Sequence, residues 1–130
     1  MTLVNNYGKS ISGYWGSPLN KWIDLNCDHK FTNINIDCFQ IKLEHKIMRF
    51  IEYKHINEKL NYQQKKALVL LSESLNNTQG KDGWTYSVCI VRGDEPFGWI
   101  EVEDLTKGIR YSIAGHIKVK DWLSLNETND

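Results

Sequence analysis

Residues 94–104 read DEPFGWIEVED and hold five carboxylates, Asp94, Glu95, Glu101, Glu103 and Asp104, with no base among them. Phe97 and Trp99 interleave with these acids. The combination suits recognition more than bond-making. Carboxylates steer and orient a cationic partner, and a large aromatic supplies area to bury against it. The opposite charge gathers at residues 42–66, where Lys42, Lys46, Arg49, Lys54, Lys59, Lys65 and Lys66 outnumber Glu44, Glu52 and Glu58. Cations on a helical face can hold a phosphate backbone. Here acids are interspersed, and Arg49 is the one guanidinium of the segment, although Arg makes the better phosphate fork. A nucleic-acid partner is therefore not expected.

Other chemistry-bearing residues form no recognisable constellation. Cys27 and His29 lie in DLNCDH with Asp24 and Asp28, a spacing that fits no metal pattern. His45 and His55 stand ten residues apart on one predicted helix. At about 100° per residue they point different ways and cannot share a metal. Cys89 falls in the middle of a predicted strand, where burial makes a thiol inert. No Ser sits in a GxSxG turn, and GKDGW lacks both the upstream glycine and the Ser or Thr that a phosphate loop needs. The expectation is a protein that is not an enzyme and holds no cofactor and no metal.

The elements that would position these residues follow from hydrophobic spacing. Residues 21–25 (KWIDL) alternate like a short strand. Ile36, Phe39, Leu43, Ile47, Phe50 and Ile51 recur at steps of three and four, which predicts an amphipathic helix from about residue 36 to 55. A second helix is expected after Asn61, a good N-cap, with Ala67, Leu68, Leu71 and Leu75 as its stripe. From Trp84 the period drops to two, giving strands over 84–91, 97–103 and 109–114 joined by short turns. Trp99, Glu101 and Glu103 then share one strand face, and Ile100 and Val102 the other. Residues 118–125 (KVKDWLSL) predict a short closing helix. The fold class is α+β: a small antiparallel β-meander with two amphipathic helices and a short C-terminal helix packed on one face.

Within this frame the tripeptide Arg92-Gly93-Asp94, familiar from adhesion ligands, lies between two strands, and Gly93 and Pro96 read as turn residues. The chain has 130 residues, which fits one globular domain spanning 1–130 and a core large enough to need no staple. It carries 16 basic and 16 acidic residues, so the whole molecule is no polycation. Three cysteines without CxxC spacing argue against a disulfide framework and for a reducing compartment. No export signal or membrane-spanning run is visible, so a cytoplasmic location is expected.

In size, neutral composition, α+β layout and the acidic, aromatic-bearing segment DEPFGWIEVED, the chain resembles the immunity proteins of bacterial contact-dependent growth inhibition systems. That resemblance implies a cytoplasmic antidote that occludes a basic toxin domain, such as a nuclease, by one-to-one binding. Asp94, Glu95, Phe97, Trp99, Glu101, Glu103 and Asp104 would form the partner-binding surface, with carboxylates standing in for substrate phosphates. A phage-encoded inhibitor of a host nuclease would use the same physics. A nucleic-acid module on the basic helices and a small enzyme around Cys27 and His29 are the other readings.

Overall fold

The computed structural model describes residues 18–28 and 36–126. The chain divides into two units, residues 1–35 and 36–130. In the first unit, α1 (Pro18–Asn26) is helical, where residues 21–25 were expected as a strand. Pro18 opens it, at the one helical position where a missing N–H and a fixed φ cost nothing. Its last turn is closed by Cys27 N–H donating to the Ile23 carbonyl at 2.9 Å and Asn26 Nδ2 donating to the Trp22 carbonyl at 2.9 Å.

The second unit is a five-stranded sheet with helices. Its strands are β1 (Cys38–Lys42), β2 (Ile47–Lys54), β3 (Thr85–Arg92), β4 (Trp99–Asp104) and β5 (Ile109–Ala114), and they lie side by side in chain order. All neighbours pair antiparallel except β2 and β3, which run parallel. A parallel pair needs a crossover, and α2 (Tyr62–Asn76) provides it. The α+β class and the β3–β4–β5 meander are as the periodicity predicts.

The helix expected over residues 36–55 is instead the β1–β2 hairpin. A 3₁₀ turn at Leu43–His45 reverses the chain, and Lys46 completes it in the left-handed region at φ 54°. His45 therefore closes this turn while His55 follows the far end of β2, so the full strand separates them.

Two apolar layers hold the unit together. On one face Ile51, Cys89, Val91, Ile100, Val102 and Ile113 pack with Val119 and Trp122 of α3 (His116–Leu123). On the other, Val88 and Ile90 pack with Leu68 of α2, joined by Phe50, Leu71 and Leu75. The helices thus flank opposite faces and do not share one, which the alternation along β3 requires once both its faces are apolar. Each fully buried large aliphatic side chain contributes roughly 1.5–3 kcal/mol.

Two polar devices fix the helices. Asn61 caps α2, its side chain accepting from Gln64 N–H at 2.7 Å. The end of α3 is held by the hairpin: Arg49 donates to the Trp122 carbonyl at 2.5 Å, Gln40 to Leu123 at 2.6 Å and Lys42 to Leu125 at 3.1 Å. Exposed helix carbonyls attract cations and donors in this way. Arg49 also lies 3.7 Å from the centre of the Trp122 ring.

Candidate binding face

The register decides which acids meet. On β4, Trp99 lies opposite Ala114, Glu101 opposite Ser112 and Glu103 opposite Arg110 of β5. On the β3 side, Glu101 lies opposite Arg92. Trp99, Glu101 and Glu103 share the face that α2 covers farther along the sheet. At this end the face is open: Trp99 is 40 % exposed, and Arg110, Ser112 and Ala114 are all exposed. Small residues on β5 leave one side of the indole without a wall.

The carboxylates fall into distinct environments. Glu103 is engaged by the protein's own cations, with Arg110 at 3.2 Å and Arg92 at 4.0 Å. Asp104 leaves the face altogether. It is only 4 % exposed, opposite Cys89, and its Oδ1 accepts from Thr106 N–H at 3.0 Å, from Lys107 N–H at 3.1 Å and from the Thr106 hydroxyl. It is the anchor of the β4–β5 turn, which Gly108 closes at φ 68°. Glu101 is half-buried, and among the described residues its carboxylate has no hydrogen bond or ion pair.

Asp94 and Glu95 are exposed on the β3–β4 loop, beside the end of the parallel pair. Gly93 is required there, since a Cβ would come within 3.0 Å of the Trp99 carbonyl and of Ile100 Cγ2. The Glu95–Pro96 peptide is cis and Phe97 takes φ 60°. The Phe97 ring is half-buried, edge-on to Tyr53 at 5.8 Å and packed against the α3-side core. It supports the loop from beneath and does not flank Trp99 as a second anchor. Arg92 closes β3 and turns toward Glu103, so the Arg-Gly-Asp tripeptide is not displayed as a tip.

Sequence reasoning missed the partners of Asp94. Tyr53 Oη donates to the Gly93 carbonyl at 2.5 Å. With that hydrogen committed, the His55 Nδ1 contacts to Tyr53 Oη at 3.2 Å and to Asp94 Oδ1 at 3.1 Å require Nδ1 to be the donor. This network assigns the tautomer. His55 Nε2 makes no hydrogen bond among the described residues. Desolvation, then Asp94, Glu58 and Glu95, raise the Tyr53 hydroxyl above its ordinary pKa. The His55 backbone N–H donates to Glu58 Oε1 at 3.0 Å, and that bond holds the Glu58 carboxyl low. Strand ends of a parallel pair are a common place for ligand-contacting loops, and here they bring His55 and Asp94 together across 39 residues of sequence.

The chain gives no significant match to any family model, curated protein or solved structure.

The other chemical candidates are dispersed. Arg49 and Lys42 hold α3, and Lys54 lies 3.7 Å from Glu52 and 3.5 Å from Glu58. The expected basic helix pair is thereby broken up, leaving Lys59, Lys65 and Lys66 exposed around the start of α2. His29 lies outside the described residues. Cys89 is buried, which pushes its thiol up to about 12. Among the described residues no cluster of three or more His, Cys, Asp or Glu is placed to hold a metal, and no helix is long and apolar enough to cross a membrane.

Proposed function

We propose that this chain is a cytoplasmic binding protein that neutralises a basic protein partner, a toxin nuclease domain being the partner chemistry it suits best, by one-to-one occlusion. The observation that carries this reading is the open end of the sheet, where a 40 % exposed indole at Trp99 stands beside the Glu101 carboxylate, which has no ion pair among the described residues. Asp94 and Glu95 add exposed negative charge on the adjoining loop. An aromatic anchor with flanking carboxylates supplies buried area and orientation toward Lys or Arg. Nuclease domains present such cations to hold phosphate. Glu103 acts mainly by ordering Arg92 and Arg110, while Asp104 and Phe97 shape the loops that border the face.

The test is capture of partners from source cells with the parent protein and with a Trp99→Ala/Glu101→Lys variant. A basic partner retained by the parent, lost by the variant, and inhibited in its nuclease activity by the parent supports the proposal. Equal capture by both proteins, or a partner without surplus positive charge, overturns it. A phage-encoded inhibitor of a host nuclease would use the same face and pass the same test.

A further inference from the structure

Glu52 is a carboxyl group out of place. It lies on β2, 4 % exposed, on the face that α2 covers. The Gln64 side-chain amide donates to its Oε1 at 2.6 Å. Two acceptors at this contact are buried without a donor among the described residues, Glu52 Oε2 and Gln64 Oε1. Leaving a buried acceptor unsatisfied is costly, and two belonging to directly hydrogen-bonded side chains call for a common explanation. One proton supplies it. A carboxylic acid and a primary amide form a ring of two hydrogen bonds, the amide N–H to one acid oxygen and the acid O–H to the amide oxygen.

We infer that Glu52 is un-ionised in the folded protein and closes such an acid–amide ring with Gln64, and that losing its proton unfastens the first turn of α2 from the sheet. Gln64 occupies the third position of that turn, where its backbone N–H already binds the Asn61 cap. The ring therefore ties cap, helix start and β2 into one structure.

The surroundings act in the same direction. Burial raises the Glu52 carboxyl to about 7, helped by the negative charge of Asp37. Extending the β1–β2 register by one residue sets Asp37 opposite Glu52. Lys54 and the hydrogen bond from the Gln64 amide oppose the shift without cancelling it; the Lys54 ammonium lies 3.7 Å from Oε1 and is shared with Glu58 at 3.5 Å. Arg92, opposite Lys54 on β3, is turned to Glu103. Because the folded-state value lies above the ordinary 4.5, the stabilisation is complete below about 4.5 and is lost as pH rises through about 7. The device thus works near neutrality, next to the loop that carries His55.

The experiment is a carboxyl-carbon NMR titration of the parent protein, with amide hydrogen exchange of the first turn of α2 in the parent and in Glu52→Gln. The Gln side chain keeps the ring through its own amide and cannot ionise. The expected results are a Glu52 midpoint near 7, and local opening of the parent that grows by up to about tenfold per pH unit between about 4.5 and 7 and levels off above, while Glu52→Gln stays flat. A midpoint at or below 5 overturns the un-ionised ring. A midpoint near 7 with no pH-linked opening overturns the fastening. Should Glu52→Gln not fold, the parent's titration and exchange decide alone.

Discussion

Three acids on one strand, at alternating and adjacent positions, should respond to substitution in a definite order. Asp104→Ala removes a buried charged acceptor from the Thr106 N–H, the Lys107 N–H and the Thr106 hydroxyl. Hydrogen bonds to charged groups are worth about 1.5–3 kcal/mol each, and some solvation returns when the turn relaxes, so a loss of about 3 kcal/mol is expected. Glu103→Gln weakens bridges to Arg110 and Arg92. The Arg110 side chain is 63 % exposed, so solvent screening limits the loss to about 1 kcal/mol. Glu101→Gln removes no ion pair among the described residues and should change stability by less than about 0.5 kcal/mol. Urea unfolding followed by tryptophan fluorescence measures all three, provided the slopes agree. Partner binding should show the reverse order, with Glu101→Gln the most damaging of the three under folding conditions. If Glu101→Gln destabilises as much as Asp104→Ala, the division between a turn-forming acid and a recognition acid is wrong. The same ranking shows why Glu101, Glu103 and Asp104 cannot usefully be reversed together: such a variant would lose its β4–β5 turn before it tested any surface.

Other outcomes can be checked independently. Arg49→Met removes a 2.5 Å bond to the Trp122 carbonyl and the contact with its ring, and should lower stability by about 3 kcal/mol in the same urea assay. Asn61→Ala deletes the α2 cap and should cost about 1 kcal/mol, read as a lower midpoint at unchanged slope. A thiol reagent at pH 8 should label the exposed Cys38 in the native protein, whereas Cys89, buried with its thiol raised to about 12, should react only on unfolding. Mass spectrometry of the labelled peptides separates the two.

What the sequence disclosed depended on how many faces of an element are covered. The β3–β4–β5 meander was legible because β4 and β5 bury Ile100, Val102 and Ile113 while turning other residues outward, which leaves a period of two. The start of α2 was legible from Asn61, whose cap is local chemistry. β2 was not, because it is packed from both sides: Ile51 faces α3, Phe50 faces α2, and the alternation disappears, as in other doubly covered strands. β1 added to the confusion by leaving Phe39 and Ile41 about half exposed. The turn between them carries no Gly or Pro, its reversal resting on Lys46 at φ 54°. At the candidate face, period-two reasoning placed Trp99, Glu101 and Glu103 together. It could not foresee that Arg110 and Arg92 would claim Glu103. Nor could spacing reveal His55 beside Asp94, since that proximity comes from the parallel pairing of β2 with β3.

The grip of Gln40, Lys42 and Arg49 on the carbonyls of residues 122–125 spans 73 to 83 positions of sequence. During synthesis the β1–β2 hairpin leaves the ribosome long before these acceptors exist, so its bonds to the carbonyls of residues 122–125 cannot form until translation has passed them. Completion of this unit is thus deferred to a late, long-range closure, the kind of contact that slows folding. Nascent chains arrested before that point would present a half-dressed sheet to chaperones and proteases, and quality control would see this unit as unfinished until α3 is clasped.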